Sequence, residues 1–523
     1  MIDFTRRPLG GTAVVTLIVA LALPGCAPPP HGVPAGAAAR TVAAPARLAR
    51  GDLPSLERWR HHVTDDILPF WTRPEALGTP VGNFPTFRCN DGTLPQRDAL
   101  CAELARPPSW MAGDMTKDFT RMKSRQTFLY GVAFHLTGNE RYLAYAHAGV
   151  TWLREHAYER ETGSAVSYWV DGVPGPPPDQ RTAQDLAYAQ VGLAFYYYLT
   201  RDREVLADLV RLERMVMTRY WAPSPAPPGG MLRWVLADGE TAGDAQREEL
   251  VSQLDQINAY MLLLAPLIED EATARAWRRD LVLLARVVKD RFFAPEHGMF
   301  WGTLQTSDSR TLGSRHTDFG HSMKSLWMLY LTGALTGERD LIDFARPLVA
   351  PLLARAAQPS GCWASGLDRH GELDRGSQWW IFAELDQAAA TLAGREPAAL
   401  PYAGYLARSY DCWFTRFVDP EHHDVWAGIP PDWSAERMAH DQPLKQHLWK
   451  NGYHVMEHAL VALITTAGLT GQPLALYYAF AAPPPRDRIQ PYYFTGTIVD
   501  ERDHPLPQHP GLRGRRVEFA ALH

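Results

Sequence analysis

The chain carries 19 histidines, and a few sit where an imidazole could move a proton. His321 follows Asp318-Phe319-Gly320 at the start of a helical pattern, which places it at a helix mouth. His447, His454 and His458 recur at i, i+7 and i+11, on one face of a helix expected over 445–469. Imidazole titrates near neutrality, so it serves as base or acid in proton transfer. The His454–His458 spacing would also suit two metal ligands. Val455-Met456-Glu457 fills the gap without a Glu in the metalloprotease position, and no metal is expected. His422-His423 belongs to a loop or a pocket rim. Asp318, Asp374, Glu384 and Asp386 are carboxylates from which a hydrolase or lyase would draw its acid/base pair. Trp379 and Trp380 point about 100° apart on a helix, so at most one squarely faces a ligand. With 17 Trp and 20 Tyr, the chain has aromatic rings for its core and for stacking on the apolar faces of sugars.

These residues need a frame, and six similar loops supply the clue. They read VGNFPTFRCNDG from Val81, ETGSAVSYWVDG from Glu161, PPGGMLRWVLADG from Pro227, PEHGMFWG from Pro295, SGCWASGLDRHG from Ser360 and PEHHDVWAG from Pro420. Their spacing, about 60 to 80 residues, fits a helical hairpin plus its loop. Periodicity and breakers predict helices over 55–71, 117–137, 139–157, 180–200, 203–221, 248–269, 272–293, 316–336, 338–357, 375–393, 397–418 and 445–469. Tight links such as Thr137-Gly138-Asn139 and Thr336-Gly337-Glu338 make consecutive helices antiparallel neighbours. Six pairs of this kind close into an all-α ring around a funnel. The domain expected over 53–480 is followed by an extension, 481–523, with β-prone stretches at Tyr493–Val499 and Arg516–Phe519.

The N-terminus reads as an address. Arg6-Arg7 precedes an apolar run from Thr12 to Pro24, too short to span a bilayer. Leu23-Pro24-Gly25-Cys26 looks like a bacterial lipobox, giving a leader over 1–25, a lipid anchor on Cys26 and a Pro/Ala-rich tether over 26–52. The expected location is the bacterial envelope, at the outer membrane facing the periplasm; a simple secretory leader would also place the chain outside the cytoplasm. Four further cysteines remain. Cys89 and Cys101 are the expected disulfide, whereas Cys362 and Cys412 fit a bridge or buried thiols equally. A net charge of -6 without a basic run argues against a nucleic-acid partner.

A family resemblance runs through residues 55–475. Arg125-Gln126-Thr127-Phe128-Leu129-Tyr130-Gly131 and Leu136-Thr137-Gly138-Asn139-Glu140-Arg141-Tyr142-Leu143 resemble the N-acylglucosamine 2-epimerase superfamily. So do Gly320-His321, Gln378-Trp379-Trp380 with Glu384, and Tyr453-His454, in the same order. The resemblance implies an (α/α)6 barrel and a sugar 2-epimerase or aldose–ketose isomerase acting on a reducing saccharide without a cofactor. It makes His321 and His454 the acid/base pair and Arg125 the holder of the oxyanion. Asn258, Tyr260, Trp379, Trp380 and Glu384 complete the expected substrate contacts.

Three positions depart from the family pattern. Where many members have Asn-x-x-Met-His, this chain has Asn258-Ala259-Tyr260-Met261-Leu262, so Leu262 is expected to replace a third histidine. Lys324 stands three residues after the first catalytic His, where Glu is usual, and Glu457 stands three after the second, where Arg is usual. A Lys324–Glu457 ion pair of reversed polarity is therefore expected. Besides an epimerase or isomerase, the residues admit a non-catalytic glycan-binding lipoprotein and a glycoside hydrolase or lyase on the same fold.

Overall fold

The computed structural model describes residues 52–523 apart from 97, 238–246, 307–308, 397–399, 433 and 435–442. Cys26, the expected leader and the tether up to residue 51 lie outside the described residues. Twelve long helices are present among those described: α1 (56–71), α2 (Thr120–Thr137), α3 (Glu140–Trp152), α4 (Ala183–Thr200), α5 (Arg203–Met215), α6 (250–264), α7 (Glu271–Val287), α8 (Phe319–Thr336), α9 (Arg339–Ala356), α10 (Trp379–Arg395), α11 (Leu400–Cys412) and α12 (Gly452–Thr470). All twelve expected helices exist, with shifted ends.

Their composition sorts them into two rings. α2, α4, α8 and α12 are buried on nearly every face, which residues such as Ala187, Ala194, Gly131 and Ala462 make possible. α3, α5 and α7 bury one stripe, such as Val205, Leu209 and Leu212 on α5, and turn charged residues to solvent. Contacts run α2–α4, α4–α6, α6–α8, α8–α10, α10–α12 and α12–α2, so the inner ring closes. The first helix does not pair with the second. α1 packs against α12 and completes the outer ring.

Four outer helices end alike, in a five-residue π turn: Leu153–Ala157 after α3, Val216–Tyr220 after α5, Val288–Phe292 after α7 and Trp413–Phe417 after α11. Each turn leads into a short antiparallel pairing, such as Tyr158–Glu159 with Ser164–Ala165 or Phe293–Ala294 with Met299–Phe300. These pairings hold four of the six repeated loops of the sequence, those from Glu161, Pro227, Pro295 and Pro420. Both disulfides, Cys89–Cys101 and Cys362–Cys412, are formed. The second ties the loop after α9 to α11.

Beyond α12 the chain makes more structure than the expected hairpin. Strands β1 (Leu474–Phe480), β2 (Thr497–Asp503) and β3 (Arg513–Ala520) form an antiparallel sheet in the order β1-β3-β2. β1 was missed because it directly follows the helix that precedes it, after Gly471 in the left-handed conformation. It packs on α2 and α4, and the sheet covers the C-terminal ends of the inner helices. Tyr493, expected in a strand, lies in the irregular stretch before β2.

One contact between outer helices should register in stability. Glu213 on α5 and Asp280 on α7 are neighbouring carboxyls. Burial, then the neighbouring Asp280 charge, pushes the Glu213 carboxyl up to about 8. The folded state therefore holds a proton that the unfolded state releases above its ordinary carboxylate range. The contribution of Glu213 to stability is expected to be undiminished below about pH 4.5, to fall as pH rises, and to level off above about pH 8, by roughly a few kcal/mol in total. Urea titrations across this range should show the slope, and Glu213→Gln should flatten it.

Candidate functional site

Each inner helix is preceded by an outer helix that returns the chain, so all six inner helices start at the same side of the ring. Residues from these starts line one cavity of about 470 Å³: Arg125 on α2, Gln184 and Tyr188 on α4, His321 and Lys324 on α8, Trp379 and Trp380 on α10, and His454 on α12. Loop residues Trp110, His316, His447 and Trp449 complete the wall. The unsatisfied N–H groups of helix starts favour negative charge there.

His321 is fixed twice by Asp318. The backbone N–H of His321 donates to Asp318 Oδ1 at 2.8 Å, which caps α8, and its Nδ1 lies 2.7 Å from Oδ2. Burial would raise the Asp318 carboxyl, but the His321 charge and hydrogen bonds hold it below its ordinary value. It therefore accepts from Nδ1–H and leaves Nε2 free. Trp380 lies 4.7 Å from the His321 ring, and His316 lies 4.7 Å away as well. Gly320 makes this packing possible: a Cβ there would stand 2.4 Å from the Trp380 ring.

His454 has the same arrangement on another helix. Its Nδ1 lies 3.2 Å from Glu457 Oε2, one turn along α12. Burial, only partly opposed by Glu457, lowers the imidazole to about 4, so it is neutral at physiological pH. Arg125 stacks on Tyr188, 3.8 Å from the ring centre, and donates to the Trp449 carbonyl at 2.7 Å. Arg125 Nε and Trp379 Nε1 are buried donors without a protein acceptor among the described residues. Such groups in a cavity wall are suited to ligand oxygens.

Lys324 does not pair with Glu457. Its Nζ donates to Asp255 Oδ1 at 2.8 Å and to Tyr188 Oη at 3.2 Å, and lies 3.6 Å from Glu384 Oε1. Burial opposes the charge of Lys324, yet Asp255, Tyr188 and Glu384 hold its ammonium well above the ordinary value. Asp255 also accepts from Gln184 and Tyr188, and these contacts outweigh burial and keep it ionised. Glu384 sits beneath the wall, accepting from Trp327 Nε1 at 2.9 Å. Burial, opposed by Lys324 and aided by Glu457, raises it to about 8.

Other expectations change with the geometry. Leu262 does not face this cavity. It lines a separate space of about 190 Å³ between the barrel and the C-terminal segment. The residue that α6 presents to the polar cluster is Asp255. Tyr260 is wholly buried and donates to Gln256, and Asn258 donates to Tyr453 Oη at 3.2 Å; neither lines the cavity. The reason is the π turn Ile257–Met261, which breaks the angular register that an ideal helix would keep. Both Trp379 and Trp380 line the cavity, since they are the first residues of α10 and project from its open end.

His447 is not on the helix face of His454 and His458. α12 begins at Gly452, capped by Asn451, whose Oδ1 accepts from the Tyr453 N–H. The preceding turn is pinned by Lys450 on Asp424, Lys445 on the Asn90 carbonyl and Arg88 on Gln446. In that turn His447 Nδ1 accepts the N–H groups of Trp449 and Lys450, so Nε2 carries the proton. Burial first, then Lys450 and Arg125, depresses it to about 3. His447 stands between Trp110 and Trp379, with ring centres 5.3 and 5.9 Å away. It is a neutral donor that periodicity assigned to the wrong element. His458 is committed to Asp386 at 2.7 Å, and that carboxylate also takes the Trp363 and Ser409 donors. Asp374 is exposed in a two-residue strand, paired with Gly366.

An (α/α)6 ring thus gathers two carboxylate-backed imidazoles, an arginine and a lysine in one aromatic cavity. The chain belongs to the N-acylglucosamine 2-epimerase (GlcNAc 2-epimerase) family, whose sequence profile matches residues 104–457. It is 23% identical over 354 residues to a cellobiose 2-epimerase of Bacteroides fragilis, covering 64% of this chain and 84% of that protein. A cellobiose 2-epimerase of Ruminococcus albus is 22% identical over 279 residues, covering 50% and 67%. In fold, the chain matches a sugar epimerase from a ruminal bacterium with a TM-score of 0.61 and 18% identity, covering 79% of this chain and 99% of the other. A D-mannose isomerase matches with a TM-score of 0.57 and 15% identity, covering 79% and 99%.

Breaking the central ion pair should be costly. Lys324→Met leaves Asp255 charged, buried and short of its main partner, and is expected to destabilise by about 3 kcal/mol in denaturant unfolding. Lys324→Met with Asp255→Asn should recover part of that loss.

Proposed function

We propose that the protein interconverts reducing sugars by proton transfer at carbon 2, as a 2-epimerase or an aldose–ketose isomerase. The observation that carries this reading is the pair of imidazoles, each held by its own carboxylate, on two inner helices separated by α10 in the ring. In the open-chain sugar, the carbonyl at C1 acidifies the proton on C2. His454, kept neutral by burial, takes that proton through Nε2. The electron pair moves to the C1 oxygen and forms an enediolate. Arg125, Lys324 and the convergent helix starts offset its charge without rearranging. His321 returns a proton to C2 from the other wall for epimerisation, or a proton reaches C1 for isomerisation. The trytophan-lined rim, with Trp110 and Trp380, offers stacking surface for the sugar rings.

The hydrolase reading lacks its chemical pair. Among the described residues the cavity lining includes no Asp or Glu, and Asp318 and Asp386 are occupied by His321 and His458. The glycan-binding reading shares the cavity but needs no proton transfer.

Incubation with reducing sugars in deuterated water, followed by mass spectrometry, tests the proposal through uptake of one deuterium at carbon 2. His321→Asn and His454→Asn are each expected to lower the rate by about 10²–10⁴-fold while leaving the melting temperature nearly unchanged. No uptake from any sugar, with binding retained, would favour the glycan-binding reading.

We also propose that the chain acts outside the cytoplasm, anchored through Cys26. The two disulfides support an oxidising compartment. Mass spectrometry of the mature protein is expected to find a lipidated Cys26 as the first residue; an unmodified Cys26 within an intact leader would exclude it.

A further inference from the structure

The C-terminal segment reaches the imidazole relay from below. Tyr492, between β1 and β2, donates its hydroxyl to Glu457 Oε1 at 2.7 Å. The other oxygen of the same carboxylate faces His454 Nδ1. Tyr492 is buried and held in the left-handed region at φ 57°, an unfavourable conformation for a tyrosine. Its neighbours impose that conformation: Tyr198 Oη accepts the Tyr492 N–H at 2.9 Å, while Tyr198 and Tyr478 both donate to the Gln490 carbonyl. The strained residue is therefore aimed at Glu457 by the barrel and by β1 together. Neither the matched family region, which ends at Glu457, nor the residues lining the cavity include it.

We infer that Tyr492 is a positioning residue for His454, acting through Glu457 to fix both the orientation and the proton affinity of the imidazole. The inference rests on the proposed role of His454. A carboxylate that accepts a hydrogen bond on one oxygen binds a proton donor less strongly through the other. Burial and the Glu457 charge keep the Tyr492 hydroxyl protonated, so it remains a donor. The charged and titratable groups around the pair are Arg125 on α2, Lys324 on α8, Glu384 on α10, and Tyr453 and Tyr493. Of these, Arg125 and Lys324 oppose a charged His454, and Glu457 favours it. Loss of the Tyr492 hydroxyl should strengthen the Glu457 contribution.

The test is a histidine NMR titration of the ligand-free full chain, which reads His454 whether or not the protein turns over a sugar. Tyr492→Phe removes one oxygen and keeps the ring. Tyr478→Phe is the control, since it loses a hydroxyl bound to the same tail turn without touching Glu457. Tyr492→Phe is expected to raise the His454 titration midpoint by about half a pH unit or more, roughly a threefold gain in proton affinity, and Tyr478→Phe to leave it in place. Where carbon-2 exchange is measurable, Tyr492→Phe should lower kcat about tenfold with little change in KM and move the acid limb of the pH profile upward. An unmoved His454 midpoint in Tyr492→Phe, or equal movement in both variants, would overturn the inference. A shifted midpoint without carbon-2 exchange in the parent protein would uphold the coupling and count against the proposed reaction alone.

Discussion

An inner helix can follow another only if an outer helix carries the chain back. That constraint sends all six inner helices in one direction and gathers their starts on one face of the ring. Residues at the first turn of a helix are free of the preceding turn, so their side chains reach forward into the opening. His321, Trp379, Trp380 and His454 occupy such positions. The site is thus a consequence of chain reversal repeated around a closed ring, and the loops need only cover its rim. The opposite face collects the inner C-termini, where the β1–β3–β2 sheet packs.

The electrostatics follow from the same geometry. Helix starts and Arg125 bias the cavity toward negative charge, and the wall keeps its own carboxylates behind its bases. Asp318 and Glu457 each hold a histidine, while Asp255 holds Lys324. Each anion accepts hydrogen bonds where it stands, so Lys324 remains oriented and the imidazoles present a single nitrogen to the opening. Glu384, raised by burial, adds to this layer without entering the cavity.

Much of this was legible in the sequence. Gly138 and Gly337, read as tight links, end inner helices, and both adopt the left-handed conformation. Periodicity and breakers identified the helices, and the resemblance pointed to His321, His454, Arg125 and the tryptophan pair, which share one cavity. What failed was angular reasoning across irregular backbone. The π turn in α6 removed Asn258 and Tyr260 from the wall and left Asp255 as the contributor from that helix. His447 was assigned to a helix because its spacing matched, yet buried Lys445 and Lys450 bind the turn that contains it. The Lys324 partner could not be read from charge complementarity, because Asp255 lies on a helix that the motifs did not connect to it. Tyr492 follows a stretch with no periodicity at all, and nothing in its neighbourhood marked it.

The pairing of α1 with α12 sets the order of assembly. Trp59 on α1 packs on Tyr410 and His458, from the last two helices of the barrel. Nearly the whole chain must therefore be synthesised before the first helix finds its partner, and the contact that closes the ring has a very long sequence separation. Such topology makes folding slow and leaves an aromatic surface exposed in the nascent chain. A partly made barrel is a curved, open solenoid with two sticky ends, and its natural error is to close on a second copy by exchanging α1 between chains.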